Sequence, residues 1–122
     1  MSKPVIYLFR HGETEWNTEG RRQGHKNSPL TSRGKLQAKN NARCLQQNSS
    51  LVEPVIIYSS PLGRAKDTAQ IILNELNIST NSIIFDDRLM ESSFGKWEGL
   101  TDHEVAEQYP DSWQKRKVDR WN

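Results

Sequence analysis

The sequence has little cysteine and no long apolar run, and each shortage excludes a class of protein. Cys44 is the only cysteine, so no internal disulfide can form and a reducing compartment is indicated. Its place within a predicted helix favours a buried or neutral thiol over a catalytic one. The apolar run at residues 5–9 is too short for a signal peptide or a membrane span. We therefore expect a soluble, cytoplasmic protein without a membrane partner.

Neither sign of charge is in large excess, because 17 basic and 15 acidic residues give a net charge of only +2. This excess is too small to indicate a nucleic-acid partner. The cluster Lys115-Arg116-Lys117 is followed by Asp119, which predicts a solvated helix face. Hydrophobic residues are only 34% of the 122, but four tryptophans, three phenylalanines and three tyrosines argue against disorder. A single domain over residues 1–122 is predicted.

Strand and helix patterns alternate along the chain. Continuous apolar runs predict three strands, at residues 5–9, 54–58 and 83–85. Apolar residues at helical spacing predict two helices, from Thr31 or Ser32 to Asn48 and over residues 62–76. Residues 10–27 are expected to form a polar loop. A capping box at Thr101 predicts a short helix that Pro110 ends, before a further helical stretch. This order indicates an α/β fold with parallel strands.

Polar residues follow each predicted strand. Arg10 and His11 end the first strand, residues 59–64 follow the second, and Glu91 comes after the third. The carboxyl ends of parallel strands meet at one edge of the sheet, where open α/β folds bind ligands. The topology therefore predicts that His11, Arg10, Arg64 and Glu91 meet at one site.

This combination of residues suits phosphoryl transfer. A phosphoryl group in transfer carries negative charge on its equatorial oxygens, and Arg10 and Arg64 can supply the fixed cations that it needs. A neutral histidine is a competent nucleophile near pH 7, so His11 can attack phosphorus. Glu91 can protonate the leaving oxygen if partial burial raises its pKa. Each residue alone more often has a structural or solvated role, and only the joint pattern supports this interpretation.

Four sequence blocks occur in order and together cover nearly the whole chain. They are Arg10-His11-Gly12-Glu13-Thr14 with Trp16-Asn17, then Arg22-Gln23-Gly24 with Pro29-Leu30-Thr31, then Ser59-Ser60-Pro61-Leu62-Gly63-Arg64-Ala65 with Thr68-Ala69, and finally Glu91 with Gly95-Lys96-Trp97-Glu98-Gly99. This series resembles the histidine phosphatase superfamily, also called phosphoglycerate mutase-like. The resemblance implies a three-layer α/β/α fold with a mostly parallel sheet.

The resemblance also implies a catalytic role for each matching residue. His11 would carry the phosphoryl group as phosphohistidine, with its second ring nitrogen donating to a backbone carbonyl such as that of Gly12. Arg10 and Arg64 would clamp the phosphate, and Glu91 would be the proton donor. The family needs no metal and no other cofactor.

Substrate contacts follow from the same resemblance. The implied substrate-binding residues are Arg10, Asn17, Gln23, Gly24 and Arg64. Asn17 would add a side-chain donor to the phosphate, while Gln23 and Gly24 would line the substrate mouth. The expected partner is a small phosphorylated substrate, and nucleic acid is not expected.

The residues after Glu91 depart from one branch of the family. Phosphoglycerate mutases carry a basic residue and a tyrosine after the acid, where this chain has Ser92-Ser93-Phe94. This favours a phosphomonoesterase, in which water accepts the phosphoryl group. A phosphoglycerate mutase-type phosphotransferase is the alternative.

A second departure concerns histidine. The family has a second catalytic histidine in a Gly-His-Gly-like block near its C-terminus, and neither His25 nor His103 has that context. We therefore expect an incomplete domain that lacks the C-terminal part with this histidine, and the chain should have little activity. A non-catalytic phosphate-binding remnant is a further alternative. The sequence leaves the physiological substrate and the oligomeric state open.

Overall fold

Helices dominate the structure, a computed structural model that describes residues 3–48 and 55–119. The helices and strands within these ranges are α1 (Glu15–Glu19), α2 (Ser32–Asn48), β1 (Ile57–Ser59), α3 (Gly63–Glu75), β2 (Ile83–Phe85), α4 (Asp102–Gln108) and α5 (Pro110–Val118). Short 3-10 helices lie in the connections, at Thr80–Ser82, Asp87–Leu89 and Gly95–Trp97. None of the helices in these ranges has the length and apolarity needed to cross a membrane.

The two strands form a parallel pair, with Ile57 opposite Ile83 and Ser59 opposite Phe85. Helix α3 makes the crossover between them, as parallel strands require. The parallel α/β arrangement predicted from the sequence is confirmed. The predicted strand at 83–85 has the bounds that the structure shows. The predicted strand at 54–58 is shifted to Ile57–Ser59, and position 54 lies outside the described residues.

The core lies between α2 and α3. Ala38 and Ala42 on α2 are fully buried and pack with Ile72 on α3. Alanine at successive turns lets the two helices approach closely while keeping the apolar stripe that helical spacing predicted. The α2 start is also confirmed, since the Thr31 Oγ1 accepts a hydrogen bond from the Gly34 amide at 3.0 Å.

Helix α1 lies in the region where a loop was predicted. Its first turn is closed by a reciprocal pair of hydrogen bonds: Asn17 N donates to Thr14 Oγ1 (3.2 Å), and Thr14 N donates to Asn17 Oδ1 (2.9 Å). Gly20 ends the helix at φ 70°, a left-handed conformation that favours glycine. The loop prediction for residues 10–27 was therefore wrong at α1, because asparagine replaces the Glu or Gln that usually marks this capping pattern.

The predicted first strand is absent from this structure. Residues 5–9 lie outside any helix or strand, and the exposed fractions of Val5, Ile6 and Leu8 are 72%, 85% and 91%. The apolar run is the expected sequence for a buried strand. Within the described ranges, however, no other strand pairs with it. The prediction failed because a strand depends on a neighbour as well as on its own composition.

The C-terminal helices agree with the predicted pattern. Thr101 caps α4 by accepting a hydrogen bond from Glu104 N at 3.2 Å. Pro110 ends α4 and also occupies the first turn of α5, where its missing N–H costs nothing. Val105 is fully buried and holds α4 in place.

One surface feature differs from expectation, at Cys44, and another agrees with it, since Lys115 and Lys117 are exposed on α5 as a solvated helix face requires. The thiol of Cys44 is exposed, so the predicted burial was wrong, and its neutral state stays a prediction. Arg116 and Lys117 lie over the rings of Trp97 and Trp113, at 5.8 and 5.6 Å, so the basic end of α5 packs against aromatic faces.

Candidate active site

His11 lies in the loop between the apolar N-terminal segment and α1. Its Nδ1 atom is 2.7 Å from the carbonyl oxygen of Gly12, which is the contact predicted for the second ring nitrogen. A carbonyl only accepts, so Nδ1 carries the proton and Nε2 bears the lone pair in the neutral ring. The backbone contact therefore fixes both the tautomer and the direction of the ring.

The backbone after His11 is held by two elements that are distant in sequence. The Gly12 amide donates to Thr68 Oγ1 on α3 (3.0 Å), and that hydroxyl donates in turn to the Arg64 carbonyl (2.7 Å). The first turn of α2 lies against the other side, so close that a Cβ atom on Gly12 would overlap the Gly34 carbonyl oxygen. Glycine at position 12 therefore permits this close approach.

A cavity of about 260 Å³ opens beside His11. Its lining residues are Arg10, His11, Glu13, Asn17 and Gln37. Three of the predicted site residues thus share one cavity. The sequence reasoning did not single out Glu13, although it belongs to the first block, or Gln37, which lies on α2 without any local signal. Gln37 Oε1 accepts a hydrogen bond from Glu13 N at 2.9 Å.

Asn17 lines this cavity, and the oxygen of its side-chain amide is already in use. Its Oδ1 atom accepts the Thr14 amide in the cap of α1. The remaining Nδ2 group has two N–H donors, so the side chain can offer hydrogen bonds to an anion. This geometry suits the donor role that the sequence predicted.

Arg64 is buried, with an exposed fraction of 2%, and it holds the loop that precedes α2. Its Nη1 donates to the Lys26 carbonyl and its Nη2 to the Gly24 carbonyl, both at 2.8 Å. It does not line the cavity. Part of its guanidinium therefore has a structural use that the sequence did not reveal.

Glu98 holds the same loop from the opposite side. Its Oε1 accepts hydrogen bonds from the His25 amide (2.9 Å), Ser93 Oγ (3.0 Å) and the Phe94 amide (3.2 Å). These contacts lower the pKa of Glu98, with the bond from the His25 amide as the largest cause. A Cβ atom on Gly24 would come within 2.5 Å of this oxygen. The loop after residue 22 is thus fixed between Arg64 and Glu98.

Gln23, predicted to line the substrate mouth, lies inside this loop. Its side chain is buried, and its Oε1 accepts hydrogen bonds from the amide (3.2 Å) and hydroxyl (3.1 Å) of Ser28. Gly24 faces Arg64 with its carbonyl and Glu98 with its α-carbon. Both residues shape the loop, and a direct contact of either with substrate stays a prediction.

The electrostatics at His11 favour the neutral ring. Burial lowers its pKa below the ordinary value of 6.5, and the charges of Arg64 and Arg10 lower it further. The hydrogen bond to Gly12 and the charge of Glu91 oppose these effects. Burial likewise lowers the pKa of Arg64, against the charges of Glu91 and Glu98. The charges of Arg10 and Arg64 thus disfavour the imidazolium, and the charge of Glu91 favours it.

Glu91 differs from expectation in one respect. Its side chain is exposed, so the partial burial that was to support an acid role is missing in this structure.

His25 and His103 are also exposed, and His103 Nε2 lies 3.2 Å from Glu107 Oε1. Neither histidine lines the cavity at His11. Among the described residues, no group of three or more His, Cys, Asp or Glu could hold a metal ion.

Comparisons with known proteins identify the family to which the chain belongs. The sequence profile of the histidine phosphatase superfamily (branch 1) matches residues 6–122. The chain is 40% identical over 110 residues to phosphoserine phosphatase 1 of Hydrogenobacter thermophilus, covering 90% of this chain and 49% of that protein. It is 39% identical over 115 residues to a probable phosphoglycerate mutase of Escherichia coli, covering 93% and 49%.

A solved structure gives the same result for the fold. YhfR of Bacillus stearothermophilus superimposes with a TM-score of 0.72 at 40% identity, covering 86% of this chain and 48% of that one. The chain spans about half the length of the relatives that it matches. The chain belongs to the histidine phosphatase superfamily, branch 1.

Proposed function

We propose that the activity built around His11 is hydrolysis of a phosphomonoester through a phosphohistidine intermediate. The observation that carries the proposal is the 2.7 Å contact between His11 Nδ1 and the Gly12 carbonyl. It leaves Nε2 as the nucleophilic atom of a ring whose lowered pKa keeps it neutral at pH 7.

The reaction has two steps. Nε2 attacks phosphorus, an N–P bond forms, and the bond from phosphorus to the leaving oxygen breaks. The family resemblance alone assigns the proton for that oxygen to Glu91, whose side chain is exposed in this structure, and the resulting carboxylate can accept a proton from water. Water then attacks phosphorus, the N–P bond breaks, and inorganic phosphate leaves with the ring neutral again. No metal takes part in either step.

Phosphate binding divides among three side chains. Arg10 and the Nδ2 group of Asn17 line the cavity and can donate to phosphate oxygens. Arg64 acts on the site through its charge and through the loop that it holds. In this arrangement Arg64 attracts the anion and also binds the carbonyls of Gly24 and Lys26.

The proposed substrate class is a small phosphorylated molecule, as the names of the phosphoserine phosphatase and phosphoglycerate mutase relatives suggest. We favour hydrolysis over mutase chemistry because Ser92-Ser93-Phe94 follows the acid, where mutases carry a basic residue and a tyrosine. Ser93 and Phe94 both donate hydrogen bonds to Glu98. Since the chain spans about half of its relatives, we propose that its activity alone is low.

The test is to trap the intermediate. The purified chain is mixed with an aryl phosphate labelled in the phosphoryl group, quenched in alkali, and analysed for acid-labile label on histidine. We expect label on the wild type and on His103→Ala, and none on His11→Ala. Label that persists in His11→Ala would contradict the assignment of His11 as the nucleophile. An absence of label in every variant would instead support the non-catalytic, phosphate-binding alternative.

A further inference from the structure

Gln37 lines the cavity at His11 from helix α2, which is distant from His11 in sequence. The first turn of α2 lies directly on the backbone after His11, since a Cβ atom on Gly34 would overlap the Glu13 carbonyl oxygen. Residues three apart share one face of a helix, so Gln37 follows Gly34 on the face turned toward this backbone. The packing of α2 therefore places Gln37 beside His11.

A backbone N–H group sets the orientation of the Gln37 side-chain amide. The Glu13 amide donates to Gln37 Oε1 at 2.9 Å, and an N–H group can only donate, so the atom that faces it must be the oxygen. The other end of the amide is then the Nε2 group, which carries two N–H donors. Within residues 3–48 and 55–119, no hydrogen bond from this Nε2 group is found. The half-buried side chain therefore has donors to offer to a ligand.

Asn17, which lines the same cavity, has the same arrangement. Its Oδ1 accepts a hydrogen bond from the Thr14 amide at 2.9 Å, and its Nδ2 group keeps two donors. Two consecutive backbone amides, those of Glu13 and Thr14, thus orient two side-chain amides that line one cavity together with Arg10. A cation and several N–H donors around one cavity are the groups that phosphate oxygens bind.

Glu13 brings a negative charge to the lining of this cavity. Its Oε1 accepts a hydrogen bond from Thr31 Oγ1 at 2.9 Å, and its Oε2 lies 4.0 Å from Arg33 Nη1. The carboxylate is therefore engaged with the start of α2, and the charge of Arg33 partly offsets it. An anion in the cavity is accordingly expected to contact Arg10 and the two side-chain amides rather than Glu13.

We propose that Gln37 is a further substrate-binding residue, whose Nε2 group donates a hydrogen bond to an oxygen of the phosphoryl group. The inference rests on the proposed function in one respect, since it takes the cavity at His11 as the phosphate site. Gln37 takes part in no covalent step. Its hydrogen bond holds one phosphoryl oxygen, so that phosphorus faces Nε2 of His11 in a geometry suited to attack.

The test titrates the purified 122-residue chain with inorganic phosphate at constant ionic strength and follows the side-chain amide signals by NMR. The Nε2 signals of Gln37 are assigned by their loss in Gln37→Met. We expect these signals to shift downfield and to saturate at the same phosphate concentration as the ring signals of His11. The signals of Gln47, an exposed glutamine on the same helix, should stay in place.

Matched variants separate the donors of Gln37 from its other contacts. Gln37→Met removes the donors without adding charge and should weaken phosphate binding about 10-fold, as the loss of one hydrogen bond to a charged group does. Gln37→Glu keeps an acceptor for the Glu13 amide, so exchange of that amide should stay slow. It has no donor and adds a negative charge, so its phosphate affinity should fall by more than about 10-fold. Gln47→Glu makes the same charge change at an exposed position and should bind phosphate as the wild type does.

Three results would overturn the inference. The first is an absence of saturable phosphate binding in the wild type, and the second is equal affinity in the wild type and Gln37→Met. The third is weaker binding by Gln37→Met while the Gln37 signals of the wild type stay in place, because the side chain would then act only through the Glu13 backbone. Label trapped on His11 together with any of these results would leave the phosphohistidine proposal standing. Shifted Gln37 signals without label on His11 would support phosphate binding by Gln37 and contradict the phosphohistidine.

Discussion

The two sides of His11 are held very differently. On the C-terminal side, Gly12 donates to Thr68 and Glu13 donates to Gln37, so each backbone amide has a partner on a helix. On the N-terminal side, residues 5–9 have no strand partner within the described part of the chain. The ring of His11 thus has its orientation fixed by one neighbour, while the segment that leads to it has no strand partner among the described residues. The backbone after His11 is therefore held by hydrogen bonds even though the segment before it is not paired as a strand within the described residues.

The strongest test of this contrast compares two leucines. Leu73 on α3 is 4% exposed and Leu8 is 91% exposed. Truncation of a buried leucine removes transfer free energy and leaves a cavity, so Leu73→Ala should lower the free energy of unfolding by about 2–5 kcal/mol. Leu8→Ala should change it by less than about 0.5 kcal/mol, because that side chain is almost fully exposed. Urea denaturation followed by tryptophan fluorescence measures both, and equal losses would contradict the comparison.

A smaller effect is expected at the hydroxyl that holds the His11 loop. Thr68→Val removes the acceptor of the Gly12 amide and leaves that buried donor unpaired, at a cost of about 1–3 kcal/mol. Exchange of the Gly12 amide should become faster. Thr18→Val removes an exposed hydroxyl that donates to the Glu15 carbonyl, and it serves as the control with little effect. Slow Gly12 exchange in Thr68→Val would show that another group holds the loop.

The smallest expected effect is on the pKa of His11, through the charge of Arg10, which follows residues 5–9. The pKa of His11 should lie below 6.5, because burial and the nearby arginines disfavour the imidazolium. Arg10→Gln removes one of these cations, so the pKa should rise toward its ordinary value. Arg88→Gln, which breaks an exposed pair with Asp86, should leave it unchanged. Titration of the His11 ring protons by NMR measures all three, and a fall in Arg10→Gln would contradict the sign.

The elements that could be predicted from the sequence are those with local signals. The bounds of β2 and the start of α2 follow from an apolar run and a cap, and the contact of His11 with Gly12 joins adjacent residues. Other features depend on distant partners. The strand at residues 5–9 needs a neighbour, and the commitment of Arg64 to two loop carbonyls has no signature in its own helix. Glu98 likewise acts on a loop far away in sequence.

The hydrogen bonds of the site also have a kinetic consequence. Gly12 and Thr68 are 56 positions apart, Arg64 and Gly24 are 40 apart, and Glu98 and His25 are 73 apart. Each contact closes a long loop of the chain. The loop must lose conformational entropy before the free energy of the hydrogen bond can offset that loss. The site is therefore expected to assemble late in folding, after α2 and α3 have paired. In a nascent chain that has not yet been synthesised as far as Thr68, the Gly12 amide beside His11 would lack its hydrogen-bond acceptor.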